Sequence, residues 1–147
     1  MIDQSKQDRN RVVVHFKDGT LLKGFTHDFN PVRELFHLTS ESARDQGQIH
    51  DVTVARLKAV FFVKTLEGDR AKGEKNRFDE VDASAMHGLK IKVVFRDGEV
   101  LRGVSLGYNK KKAGFFVIPV DPESNNERVY VLADAAAEVV VGPAAER

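Results

Sequence analysis

The chain contains no cysteine, which excludes a disulfide framework, thiol catalysis and thiolate metal sites. No apolar run approaches the roughly 20 residues that a membrane-spanning helix requires. The N-terminal stretch "MIDQSKQDRNR" lacks the apolar centre of a signal peptide, so cytoplasm is the expected compartment and no membrane partner is expected. An excess of one charge is also missing. The net charge is +1, made up of +2 over residues 1–66, −2 over 67–87 and +1 over 88–147. A non-specific nucleic-acid binder depends on a strong basic excess, because phosphate neutralisation dominates its affinity. Only the run Lys110, Lys111, Lys112 reaches that density.

The usual marks of catalysis are lacking too. Glycines stand singly, and "EGDRAKGEK" leads into no strand-to-helix transition, so it is neither a Walker loop nor a dinucleotide fingerprint. None of the five histidines falls in an HxH or HExxH spacing. His15, His27 and His37 are expected on three successive strands, where Asp28 would complete a cluster, yet their counterparts in a second copy of the pattern are Val94, Leu106 and Phe116. Positions that accept apolar residues are packing or solvated histidines. The expectation is therefore no enzyme, no metal and no cofactor.

What is present is a duplication within a soluble composition, 41% hydrophobic and 31% charged. "FKDGTLLKG" at 16–24 returns as "FRDGEVLRG" at 95–103, and residues 12–38 align without a gap onto 91–117. Matched pairs include Val14/Val93, Phe16/Phe95, Asp18/Asp97, Gly19/Gly98, Gly24/Gly103, Asn30/Asn109 and Phe36/Phe115. Each copy opens with period-two alternation (Val12, Val14, Phe16; Ile91, Val93, Phe95), the pattern of a half-buried strand. Asp-Gly then predicts a type I′ hairpin turn, and Gly24 and Gly103 predict a bulge or bend within the second strand. A polar turn leads to a third strand, "LFHLTS" or "FFVIPV". After a loop expected to differ in length come two closing strands, "DVTVARL" and "AVFFVKTL" or "ERVYVLA" and "EVVVGP". Within the two copies, "ADAAAE" alone suits a helical turn. Five strands per copy fit a small barrel of roughly 55–60 residues, near the lower limit of independent stability.

The predicted fold is all-β: a first five-stranded barrel over residues 10–66, a charged linker over 67–87 and a second barrel over 88–143. Within the linker, "FDEVDASAM" suits docking on a barrel or a short helix capped by Asp79.

In "VVVHFKDGTLLKGFTHDFN" the succession of alternation, Asp-Gly turn, glycine-bearing second strand and polar segment resembles the first motif of the Sm-like barrels. That resemblance implies the barrel topology and sets Asp28 and Asn30 near the place where the family holds RNA bases. The second copy departs from it with Gly107 in place of Asp. Over nearly the whole chain, "FKDGTLLKGFTHDFNP", "LKAVFFVKTLEG", "FRDGEVLRG" and "GFFVIPVDPESNNERVYV" look like an uncharacterised bacterial family of tandem β-modules, found alone or beside signalling domains. It implies fold and bacterial origin, and it draws attention to "DPESNNERVYV" as a polar insertion between two strands. "DRNR" (Asp8 to Arg11) and "DASAMHG" (Asp82 to Gly88) resemble in part the cyclic-dinucleotide motifs of PilZ-type barrels, with Arg9, Arg11, Asp82 and Ser84 as the implied residues.

These residues point to a non-catalytic bacterial adaptor whose partner is most readily a protein. Candidate binding residues sit where the copies differ: His27, Asp28, Phe29, Asn30 and Arg33 in the first; Tyr108, Asn109, Lys110, Lys111 and Lys112 in the second; and Ser124, Asn125, Asn126 and Arg128 in the polar loop. Phe25, Phe29, Val32, Phe36, Tyr108 and Phe115 are the candidate aromatic and apolar anchors. Two linked weak modules would gain by avidity. The alternative is a nucleotide or nucleic-acid binder, because Tyr108 beside three lysines is a usable stacking platform.

Overall fold

The computed structural model describes residues 9–66, 77–78, 88–105 and 107–147. They form ten strands: β1 Asn10–Phe16, β2 Leu21–Thr26, β3 Leu35–Ser40, β4 Ile49–Thr53, β5 Leu57–Val63, β6 Leu89–Phe95, β7 Val100–Ser105, β8 Gly114–Pro119, β9 Asn126–Leu132 and β10 Ala136–Val141. All pair antiparallel in one sheet, ordered β10-β6-β7-β8-β9-β5-β1-β2-β3-β4. The all-β reading of the sequence holds, while the expectation of two closed barrels does not. Closure would pair the fourth and fifth strands of one repeat. Instead β5 spends its second edge on β9, the fourth strand of the other repeat, with Val60 opposite Tyr130 and Phe61 opposite Val129. The sequence of β5, LKAVFFV, suits that place: every position is buried, as expected of a strand covered on both faces and paired on both edges.

The duplication extends well beyond the stretch legible by eye. His15 pairs with Ala59 and Val94 with Glu138; Leu35 pairs with Thr53 and Gly114 with Leu132. The 79-residue offset therefore persists from β1/β6 to β5/β10. Between the third and fourth strands the loops keep the same register, so "DPESNNERVYV" is neither an insertion nor a loop of different length. Its distinct look has another cause: β9 has partners on both sides and runs two residues further back, with Asn126 paired to Val63, whereas β4 pairs with β3 alone.

The two Asp-Gly turns are not type I′. Only the glycines have positive φ, Gly19 at 92° and Gly98 at 94°. The Gly19 N–H donates to Phe16 O and the Phe16 N–H to Thr20 O, with Gly98, Phe95 and Glu99 arranged alike. This is a type I turn closed by a left-handed glycine. Each aspartate stays at negative φ because its carboxylate accepts the N–H two residues on, Thr20 for Asp18 and Glu99 for Asp97.

Gly24 and Gly103 carry no register shift. Gly24 is paired on both sides, with Val12 and Ser40, at the point where β3 crosses closely over β2. A Cβ at Gly24 would lie 2.0 Å from Thr39 O, and one at Gly103 2.0 Å from Ile118 O. Bulges lie instead on the fifth strands, where Lys58 and Ala137 are the unpaired extra residues, and on β9, where Glu127 is. The segment 54–56 and its counterpart 133–135 each make one 3-10 turn, which bears out the turn read in "ADAAAE".

One hydrophobic core joins the repeats, with Val12, Val14, Phe36, Leu38 and Leu57 from the first and Ile91, Val93, Phe95 and Val117 from the second. A repeat of about 55 residues buries too little surface to stand easily alone; the shared sheet supplies the missing partner. At the C-terminus, residues Gly142–Glu146 form a 3-10 turn packed on β6, where Ala145, Phe78 and Val120 make a small separate cluster. Of "FDEVDASAM", Phe78 is thus docked, while Asp79 to Met86 lie outside the described residues. Among the described residues, no helix is long and apolar enough to cross a membrane.

Candidate binding site between the repeats

Adjacent aromatic pairs, Phe61-Phe62 on β5 and Phe115-Phe116 on β8, break the period-two rule, so in each pair one ring faces away from its neighbour. Phe29, which follows β2, sits among rings of both repeats. Its centroid lies 5.1 Å from Phe36, 5.4 Å from Phe62, 5.4 Å from Tyr130 and 6.4 Å from Phe116, all edge-on. Such contacts suit the ring quadrupole and tie the first repeat's second-to-third-strand turn onto β8 and β9.

Beside this cluster lies a groove of about 800 Å³. Pro31 and Val32 of the first repeat line it together with Phe115, Phe116, Ile118 and Tyr130 of the second. Val32 is 87% exposed at the rim, and Lys112 also borders the groove. The lining is mostly apolar, as in sites that take the apolar side chains of a ligand.

A smaller cleft of about 360 Å³ lies where β1 begins and β5 and β9 meet, bordered by Arg9, Arg11, Phe25, Phe62, Glu127 and Arg128. The Arg9 guanidinium lies 3.9 Å from the Phe25 centroid and that of Arg128 4.3 Å from Phe62, geometry of cation–π attraction. Arg128 also stands 5.5 Å from Phe116, so it separates the cleft from the apolar groove. Two of the residues read from the "DRNR" motif, Arg9 and Arg11, therefore share a cleft with Arg128 of the other repeat. Asp82 and Ser84 lie outside the described residues.

The remaining candidates are distributed differently. Asn30 and Asn109 are turn formers: the side-chain oxygen of each accepts the N–H two residues ahead, Val32 and Lys111. Asn125 clamps the chain after β5, accepting the Thr65 N–H at 3.0 Å and donating to Thr65 O at 2.9 Å. Ser124 is buried and accepts the Asn126 N–H. Phe36 and Phe115 are core residues, and Tyr108 packs on Phe115 at 4.8 Å. His27, Arg33, Lys110 and Lys111 are exposed on turns.

The three histidines do not converge. His27 follows β2 and does not lie on a strand. His15 stacks on Phe61 at 4.3 Å; burial, then the neighbouring Lys58 charge, push its pKa below the ordinary 6.5. His37 Nδ1 donates to Asp28 Oδ2 at 2.7 Å, while Nε2 lies 3.4 Å from Asp51. The Asp28 hydrogen bond raises the His37 pKa. Burial alone would raise Asp28, but the hydrogen bonds from His37 N–H and its ring outweigh it and hold the carboxyl low. Asp28 thus ties the turn after β2 to β3. Among the described residues, no group of three or more histidines and carboxylates is placed to hold a metal ion.

The sequence reading missed Phe62, Phe116, Ile118 and Tyr130 as groove residues. The doubled aromatics were the available signal. A family of unknown function, DUF6982, matches residues 8–142. The chain belongs to DUF6982. The DUF6982 match spans both repeats, so the unit of the family is the pair and the inter-repeat groove lies inside it. No curated protein and no solved structure matches the chain.

Proposed function

We propose that this chain is a non-catalytic, cytoplasmic bacterial binding module of regulatory character, and that its partner is a protein held in the groove between the repeats. The observation that carries this reading is the construction of the groove: the second repeat supplies most of its lining and Pro31 and Val32 of the first complete it, so the site as built needs both repeats. Exposed Val32 and Ile118 beside aromatic walls supply the apolar anchor positions on which protein recognition depends. The strand order within each repeat, fifth-first-second-third-fourth, supports reading each as an Sm-like unit opened where it would have closed.

The test is the double variant Val32→Asp, Ile118→Asp, both at exposed positions. A protein partner captured by the native chain and then purified should lose about tenfold or more in affinity for this variant, and keep its affinity for Lys110→Glu, Lys111→Glu, Lys112→Glu. The opposite pattern, or a salt-dependent complex with short RNA or DNA that the lysine variant abolishes, overturns the reading in favour of nucleic acid. A rise in melting temperature with cyclic di-GMP that Arg9→Ala, Arg11→Ala removes would favour the nucleotide alternative.

A further inference from the structure

We propose that the cleft of Arg9, Arg11 and Arg128 is a second recognition site, which takes a short acidic peptide segment with its carboxylates against the guanidinium groups. The proposal rests on the reading of the chain as a protein-recognition module, and it concerns a different surface from the apolar groove.

The first argument is charge without a counterpart. Lys17 pairs with Asp134, Lys58 with Asp97 and Glu99, and Lys90 with Glu146. Among the described residues, Arg9, Arg11 and Arg128 make no such pair. Arg11 Nη1 donates to Lys64 O at 3.2 Å, and Glu127 borders the cleft without closing on any of the three. Ring stacking on Phe25 and Phe62 holds two of the guanidinium planes, which leaves their N–H edges for a planar, bidentate acceptor.

The second argument comes from the duplication. Arg11 corresponds to Lys90 in the other repeat. There the chain leaves β10 at Gly142, with φ of 77°, and folds back over β6. Glu146 binds Lys90, Ala145 is fully buried, and Arg147 O accepts from Lys92 and Arg102. In the first repeat Val63 stands at the position of Gly142, Thr65 is tied to Asn125, and Leu66, the counterpart of Ala145, packs on the core. Arg11 stays exposed there. The fold thus sets a carboxylate against the basic residue of one repeat, Glu146 on Lys90, and among the described residues sets none against its counterpart Arg11. That precedent favours an acidic peptide over a phosphate-bearing ligand.

The test is amide chemical-shift mapping of the ¹⁵N-labelled full chain with acetylated hexaglutamate, hexaglutamine and pyrophosphate. Hexaglutamate should give saturable shifts at Asn10 to Val12, Phe25 and Arg128, reaching saturation at about millimolar concentration; hexaglutamine should give none. Arg11→Glu, Arg128→Glu should weaken hexaglutamate by about tenfold or more, and the milder Arg128→Gln covers the case in which the double variant does not fold. Equal shifts at Lys110 to Lys112, or none at the cleft, overturn the proposal. Pyrophosphate saturating the same amides at a lower concentration than hexaglutamate overturns it in favour of a phosphate ligand. The Val32→Asp, Ile118→Asp variant should bind hexaglutamate as the native chain does, so failure of the groove reading and failure of this one are separately visible.

Discussion

Lys58, the bulge residue of the first repeat, crosses to Asp97 in the hairpin of the second, with Nζ 2.7 Å from Asp97 Oδ2 and 2.7 Å from Glu99 Oε1. Lys58 is 8% exposed. Burial by itself would lower its pKa, but the hydrogen bonds it donates to the two carboxylates outweigh that and raise it, and the Lys58 hydrogen bond lowers Asp97 in turn. The counterpart of Lys58 is Ala137, which is exposed and has no such role. Asp97→Asn, Glu99→Gln should cost about 1–3 kcal/mol in urea unfolding, because it strands a buried ammonium. The half-exposed carboxylates favour the low end. Lys58→Met should cost less. A larger loss from Lys58→Met would show that the triad is not what the charge argument holds.

The close crossing of the second and third strands gives a paired expectation. A Cβ at Gly24 or Gly103 meets backbone carbonyl oxygen at 2.0 Å, whereas Gly107 has open space around it. Gly24→Ala and Gly103→Ala should each destabilise by about 3 kcal/mol or more, since a main-chain carbonyl cannot rotate aside. Gly107→Ala should be nearly neutral. Thermal unfolding of the three variants reads this directly.

His37 and His15 should titrate on opposite sides of 6.5. His37 gains a partner in Asp28, so its folded pKa is raised; its contribution to stability is complete below 6.5 and is lost as pH rises through the folded value. His15 is depressed by burial, so its contribution is present above 6.5 and is lost as pH falls through the folded value. Imidazole proton resonances followed against pH measure both. Asp28→Asn should bring His37 back towards 6.5 and leave His15 where it is.

Phe29 should matter far more than its counterpart Tyr108. Among the described residues, Phe29 contacts rings of both repeats and Tyr108 the single ring of Phe115. Phe29→Ala should cost about 3 kcal/mol, the usual range for loss of a packed ring, and Tyr108→Ala less. Denaturant midpoints at unchanged slope would check the order.

The hydrophobic alternation of Val12, Val14 and Phe16, and its return at Ile91, Val93 and Phe95, carried the strands and the duplication. Both are local properties, set by which face each side chain occupies. The Asp-Gly pairs carried the hairpins but not their turn type, because type I followed by glycine and type I′ ask for similar residues and differ in the φ of the aspartate. The candidate site was only partly legible. Arg128, Phe29 and Val32 could be singled out as residues of turns and strand starts, while Phe62, Phe116 and Tyr130 looked like ordinary strand aromatics.

An all-β chain built of two equivalent halves is written in the sequence, because side-chain period and turn chemistry act within a few residues. That the halves do not close on themselves is a property of the folded chain. Strand edges carry no sequence mark of the partner they will take, and the hydrogen bonds of β5 can be met equally by its own fourth strand or by β9. The choice of β9 rests on side chains far apart in the chain: Phe29 against Phe116 and Tyr130, Lys58 against Asp97 and Glu99. That choice also creates the groove and brings Arg128 to Arg9 and Arg11.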